Sequence, residues 1–370
     1  MTQHDPKAAS LVARYEVFFT QFLDPEGKLK AELPAFARDT EQLKKMYRVM
    51  VTTRLFDKKA VALQRTGQLG TYASCLGQEA IGTALGLSMQ PDDVYIPAYR
   101  EYAANFLRGV PMESILLYWG GNERGMKYPA GTPSWNDFPL SVPIATHIPH
   151  AIGVAYAFKL RKQPRVVVAT CGDGATSKGD FYEAVSSAKI WNLPVVFVVS
   201  NNQWAISLHS SRQTGAQTFA QKGFAGGLPS EQVDGNDVIA TRFVLERALE
   251  RARKGEGPSL IEAVTYRLHD HTTADDARRY RGEDEVKAAW ERCPIKRLKA
   301  YLEAQKLWTT AEEEALNAEG TATAEKAAQA FIATETEAPE AIFDSLYAKL
   351  PRQYEWQREE VRAAGPKGGH

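Results

Sequence analysis

Two apolar runs, "RVVVATC" and "VVFVVS", constrain this chain more than anything else in it. Each is short, β-branched and continuous rather than alternating, the pattern of a strand covered on both faces. Between them lies a segment of helical length. The three pieces therefore read as strand 165–171, helix 178–192 and strand 194–200. Such a βαβ unit makes a parallel pair, and a parallel sheet needs helices on both faces.

Both runs end in polar residues. Gly172-Asp173-Gly174 follows the first, and Asn201-Asn202 closes the second. In open α/β sheets ligands bind just outside the carboxyl ends of the strands. A single crossover helix lets Asp173 and Asn202 point into one crevice. A carboxylate and an amide oxygen are hard ligands suited to magnesium, which completes its shell with water and phosphate oxygens. The glycines admit a phosphate close to backbone N–H groups, and a following helix N-terminus favours the anion. A lone GDG is usually a turn; the second polar pair on the next strand makes it a site. The chemistry indicated is a diphosphate with a divalent cation. No GxGxxG follows a strand, and GxxxxGK[ST] is absent, which argues against a dinucleotide enzyme and a P-loop ATPase.

Elsewhere the pattern continues the α/β theme. An extended arm, with a turn over 25–27, precedes a helix from Asp39, where Asp39 and Gln42 fit a capping box; that helix ends at Gly67. "GQEAIGTALGLSM" is a small-residue helix, and "DVYIPAYR" is a strand running into a loop that displays Tyr99 and Arg100. Residues 120–143 read as a long ordered loop, a length that usually serves function. "HAIGVAYAFKLRK" and "DVIATRFVLERALERARKGEG" are helices, "SLIEAVTY" is a strand, and "LHDHTTADDARRYRGEDE" is a charged loop. The expected division is an arm at 1–39, a mostly parallel α/β domain at 40–300, and a helical segment with a polar tail at 301–370.

Composition excludes several classes. With 45 basic and 45 acidic residues the formal net charge is zero, so no bulk attraction for nucleic acid or anionic lipid exists. Cys75, Cys171 and Cys293 are too few and too scattered for a disulfide framework or a CxxC zinc site. His269 and His271 form "HDH", but no third ligand is spaced to make a zinc site of them. The first residues lack the signal-peptide order, and the apolar runs fall short of a bilayer span, so a cytoplasmic location is expected.

GDG followed by NN resembles the thiamine-diphosphate fingerprint. The wider chain resembles the α subunit of the two-subunit 2-oxo-acid dehydrogenase E1 component of bacteria. The blocks that carry the likeness are "GTYASCLGQEAIG", "YIPAYRE", "SVPIATHIPHAIGVAYA", "GDGATSKGDFYEA", "NNQWAIS", "QVDGNDV", "GPSLIEAVTYR" and "HDHTTADDARRYR", in order from about 40 to 300. The resemblance implies a thiamine-diphosphate-binding fold in which Asp173, Asn202 and the Trp204 carbonyl hold magnesium. It places Gly172, Gly174 and Ala175 in the cofactor loop. Tyr99, Arg100, Arg267 and His271 would stand at the diphosphate end or beside the thiazolium, with Arg267 and His271 carrying catalysis. Guanidinium forks suit phosphate oxygens in that role. Val142 and Ile144 would offer backbone groups to the aminopyrimidine, and Ile206 would sit under the bent cofactor. Ser141, Pro143 and Thr146 match a monovalent-cation site of some relatives, but His147 replaces their usual glutamine. Thr272 stands where mitochondrial relatives carry a regulatory phosphoserine, and nothing in the sequence assigns a kinase to it. In the family the charged loop orders with cofactor.

The same resemblance implies a partner. A β subunit would supply the glutamate that activates the cofactor, giving an α2β2 heterotetramer that docks on a lipoyl domain and a dihydrolipoyl acyltransferase core. Pyruvate is the first expected substrate, because "GTYASCLGQEA" and "GDFYEA" look most like pyruvate E1 α subunits; Ala98 before Tyr99 is also small. A branched-chain 2-oxo acid follows, from "SVPIATHIP" and "NNQWAIS", and acetoin is third. A non-catalytic scaffold subunit would be expected to lose Asp173, Asn202 or the Arg/His set, and this chain keeps them all.

Overall fold

The computed structural model describes residues 10–344 and 346–365; positions 1–9 of the expected arm and 366–370 of the tail lie outside the described residues. Its strands are β1 (Phe19–Thr20), β2 (Val94–Ile96), β3 (Val167–Gly172), β4 (Val195–Asn201), β5 (Trp204–Ala205), β6 (Leu208–His209), β7 (Ser230–Asp234) and β8 (Ser259–Val264). Six of them form one parallel sheet in the order β1-β7-β8-β4-β3-β2, while β5 and β6 make a separate antiparallel pair. The helices of the first half are α1 (Thr40–Arg65), α2 (Glu79–Ser88), α3 (Tyr102–Leu107), α4 (Met112–Trp119), α5 (Ile148–Leu160) and α6 (Gly179–Ile190). They continue as α7 (Gln221–Ala225), α8 (Val238–Arg253), α9 (Glu283–Trp290), α10 (Pro294–Ala304), α11 (Thr310–Ala333) and α12 (Arg352–Ala364).

The two runs that read as doubly covered strands are the centre of the sheet. Val167, Ala169 and Cys171 of β3, with Val195, Phe197 and Val199 of β4, face the core under α5 and α6. Val168, Val196 and Val198 face the opposite core, under α1, α2 and α8. Each fully buried side chain of this size contributes about 1.5–3 kcal/mol. Truncating Phe197 to alanine would therefore cost about 3–5 kcal/mol.

The winding direction positions the site. From β3 through α6 the chain moves to β4, and from β7 through α8 it moves to β8, so the two windings approach each other. Right-handed crossovers in opposite directions place α6 and α8 on opposite faces, as observed. Their meeting point, β4 beside β8, is the topological switch where a crevice must open.

Three expectations change. The extended arm adds a strand to the sheet edge: β1 pairs with β7, and Asp237 Oδ2 accepts the N–H groups of Phe22 and Leu23 at 2.7 Å each. The 25–27 turn forms as expected, with Gly27 at φ 80°. Second, Asp39 caps α1 through Glu41 N at 2.9 Å, but Gln42 closes no box, because its Oε1 accepts from Arg242 instead. Third, β7 went unread: "SEQVD" carries polar residues at most positions and only Val233 and Asp234 are buried. Among the described residues, no helix is long and apolar enough to cross a membrane.

Candidate active site

Asp173 and Asn202 stand just beyond β3 and β4, where the register pairs Gly172 with Ser200. Of the two asparagines, Asn201 turns away to Glu262 at 2.7 Å, and Asn202 turns into the crevice. Asp173 is 1% exposed, and its carboxylate accepts one hydrogen bond, from the Gln213 side-chain amide at 2.6 Å. Burial pushes its pKa up, partly offset by that bond. A carboxylate buried beside neutral donors is a site that gains from a cation. Gly172 has open space where a Cβ would stand; a Cβ on Gly174 would meet Ala205 Cβ at 2.8 Å. The first glycine thus leaves backbone open to a ligand, and the second lets the β5 turn close down. A cavity of about 220 Å³ fills this crevice, bounded by Tyr99, Arg100, Ile144, Ile206 and His271 as well as the strand ends.

Arg100 and Arg267 divide their work. Arg100 lines the cavity, donating to Ser74 O at 2.6 Å and to His271 O at 2.5 Å, and its guanidinium lies over the Tyr99 ring. Arg267 lies behind the cavity wall, fully buried. It donates to His269 O, Trp204 O, Ile206 O and Tyr280 Oη at 2.9–3.3 Å, and to His271 Nδ1 at 3.2 Å. Those bonds use all five of its N–H groups. The structure therefore uses Arg267 to hold the 204–206 turn and the histidine. The Trp204 carbonyl keeps a second lone pair beyond this bond.

His271 Nδ1 lies 3.2 Å from both Arg100 Nη2 and Arg267 Nη1. Guanidinium nitrogens only donate, so Nδ1 carries the lone pair and Nε2 carries the proton. Burial and then the two arginines lower its pKa to about 3. His271 is thus a neutral hydrogen-bond donor at physiological pH, not an imidazolium.

The turn after β4 holds two non-glycine residues at positive φ, Gln203 at 74° and Ile206 at 54°. For a β-branched residue that backbone is strained, and it persists because Arg267 fixes the Ile206 carbonyl. Ile206 is 55% exposed, Ile144 45% and Val142 44%. Ile144 and Ile206 line the cavity, whereas Val142 lies outside its lining. At the matched monovalent-cation position, Thr146 Oγ1 donates to Pro143 O at 3.0 Å, and Ser141 Oγ lies 3.5 Å from each. His147 turns its Nε2 to Thr170 O at 2.7 Å, and its buried Nδ1 meets no partner among the described residues. Among the described residues no three His, Cys, Asp or Glu side chains cluster as a metal site. All three cysteines are free and buried.

Several cavity residues escaped the sequence reading. Gln78 and Glu101 line it, and Gln213 reaches Asp173. Glu101 accepts from Ser200 Oγ at 2.7 Å, and burial pushes its carboxyl up. Only Glu101 had a local signal, its position directly after Tyr99-Arg100. The charged loop after β8 is pinned by Thr273 N to Tyr72 O at 2.9 Å and by Arg281 to the Arg267 carbonyl.

Comparison with known proteins gives a consistent result. The family model described as dehydrogenase E1 component matches residues 47–341. A 3-methyl-2-oxobutanoate dehydrogenase subunit alpha from Mycobacterium tuberculosis is 41% identical over 347 residues, 93% of each chain. The pyruvate dehydrogenase E1 component subunit alpha of Acholeplasma laidlawii is 40% identical, covering 91% of this chain and 97% of its own. That of Mycoplasma genitalium is 34% identical, covering 92% and 94%.

Proposed function

This chain belongs to the dehydrogenase E1 component family, and we propose that it is the α subunit of a thiamine-diphosphate- and magnesium-dependent 2-oxo-acid dehydrogenase. One observation carries the reading: a buried carboxylate and a buried amide at adjoining strand ends, opening on one cavity. The residues fit the cofactor. Asp173 lacks a bonded cation, Gly172 leaves its backbone open, and the buried atoms Gln78 Nε2 and His147 Nδ1 have no partner among the described residues. Asp173, Asn202 and the Trp204 carbonyl would hold magnesium, and Tyr99 and Arg100 would meet the diphosphate. His147 supplies nitrogen where a monovalent cation would want oxygen, so that ion is not part of the proposal.

When bound, thiamine diphosphate supplies the carbon nucleophile and electron sink for loss of carbon dioxide. The chain's own residues then orient and shield. Neutral His271 presents Nε2–H to charge developing on the substrate oxygen, and the paired guanidiniums keep the ring in that tautomer. Ile144 and Ile206 give the cavity mouth an apolar rim, with Val142 exposed beside it. A second chain covering that rim would exclude water, which supports a β subunit in an α2β2 heterotetramer serving a lipoyl domain on an acyltransferase core. The free thiols fit a reducing cytoplasm.

Pyruvate is the proposed substrate. The second reading, a branched-chain 2-oxo acid, is favoured by the 41% identity to the Mycobacterium tuberculosis protein. Comparing kcat/KM for pyruvate and 3-methyl-2-oxobutanoate with the β subunit present decides between them. The α-subunit assignment fails if the purified chain alone turns over either acid as fast as the mixture.

A further inference from the structure

Gln78 enters the reading above only as an unpartnered amide, with no ligand atom assigned to it. It stands at the start of α2, after Gly77, whose φ is 93° and where a Cβ would lie 2.6 Å from Tyr266 O. Glycine alone permits that close turn, and the turn brings the Gln78 side chain into the cavity wall. The side chain is 2% exposed.

The hydrogen bonds around it allow one orientation. Trp204 N only donates, so the Asn202 atom 3.3 Å away is Oδ1. Asn202 then turns Nδ2 towards Gln78, which answers with Oε1 at 3.2 Å. Gln78 lines the cavity, and its Nε2 is left buried with no hydrogen-bond partner among the described residues. A buried amide donor without a partner is unfavourable, and beside a cavity a ligand atom can complete it.

We propose that Gln78 binds thiamine diphosphate, donating from Nε2 to a diphosphate oxygen while Oε1 locks Asn202 with its amide oxygen on the metal side. The inference rests on the cofactor reading above and adds a residue to it. Contact with Asn202 places Gln78 at the strand ends where the metal and diphosphate would lie, away from the apolar rim where a 2-oxo acid would enter. A neutral donor also suits this place, since it meets an anionic oxygen without repelling the cation beside Asp173.

Two substitutions separate the roles. Gln78→Glu keeps an acceptor for Asn202 but replaces the donor with a charged oxygen; Gln78→Met keeps the length and removes both. Binding to the full chain in complex with its β subunit is measured by calorimetry, with magnesium, for thiamine diphosphate and separately for inorganic pyrophosphate. Gln78→Glu should weaken both ligands by about tenfold or more, and Gln78→Met by several-fold. Gln78→Met introduces no buried charge, so it carries the test if Gln78→Glu does not fold. Wild-type affinity for pyrophosphate in the variants, or a change confined to the KM of the 2-oxo acid, overturns the proposal. Failure of the wild-type complex to bind thiamine diphosphate at all would instead remove the cofactor reading, and this inference with it.

Discussion

The crevice at the strand ends and the α1 side of the molecule both bury charge, and they satisfy it differently. On α1, Asp57 accepts from Tyr72 Oη, Ser74 Oγ and Cys75 N at 2.6–2.9 Å. Arg108, at the end of α3, grips Asp137 through two nitrogens. In the crevice, the Asp173 carboxylate takes a side-chain donor from Gln213, and Gln78 Nε2 and His147 Nδ1 have no partner among the described residues. Asp57 and Arg108 are satisfied by the fold, whereas Gln78 and His147 leave a nitrogen open while lining a cavity. Incomplete satisfaction beside a cavity, more than burial alone, marks the functional region.

Breaking each region should therefore have opposite signatures. The largest effect is expected from Asp173→Ala, which should weaken magnesium-dependent binding of thiamine diphosphate by on the order of a hundredfold. Calorimetry reads this, and undiminished affinity would sink the metal assignment. The folded chain without cofactor should lose little stability, because the carboxylate removed was poorly compensated. Asp57→Ala should do the reverse: three donors lose their acceptor, and denaturant unfolding should show a loss of about 3 kcal/mol. If the two variants lose similar stability, the contrast between the regions is wrong.

His271 sharpens the comparison through pH. The folded site refuses a proton that the unfolded chain accepts, so His271 lowers stability progressively as pH falls from about 6.5 towards about 3. Arg100, Arg267 and Asp275 are the charged groups facing it. Arg100→Gln removes one flanking cation and should raise the His271 pKa towards the ordinary imidazole range, read by NMR titration of the ring. An unmoved pKa would mean that burial and Arg267 set it without Arg100. The smallest effect belongs to Ile206→Gly, which relieves a positive-φ β-branched residue. Unfolding of the chain without cofactor should show a gain of up to about 1 kcal/mol, and a net loss would show that Ile206 is held without strain.

Much of the fold was legible because the central strands are unambiguous. Continuous β-branched runs can only be strands covered twice, and that settled the parallel sheet, the layers and the placement of GDG and NN. The edge was not legible. β1 has two residues, and β7 offers no apolar run, so both exist through pairing rather than pattern. The arm's attachment through Asp237, and through Arg297, whose Nη1 donates to Leu23 O at 3.3 Å, joins positions more than two hundred residues apart. No local rule reports that.

The site divides in the same way. Sequence alone determined which chemistry was present: a carboxylate and an amide at strand ends, arginines and a histidine further along, and glycines where a phosphate must come close. Tertiary structure alone decided how each group is committed. It placed Arg267 behind the wall with every N–H spent, left Arg100 on the cavity, set His271 neutral with its proton on Nε2, and left the Gln78 amide unpartnered. The physical reason is that residue type fixes which hydrogen bonds a group can make, whereas the bonds already made depend on neighbours that only the folded chain brings within 3.5 Å.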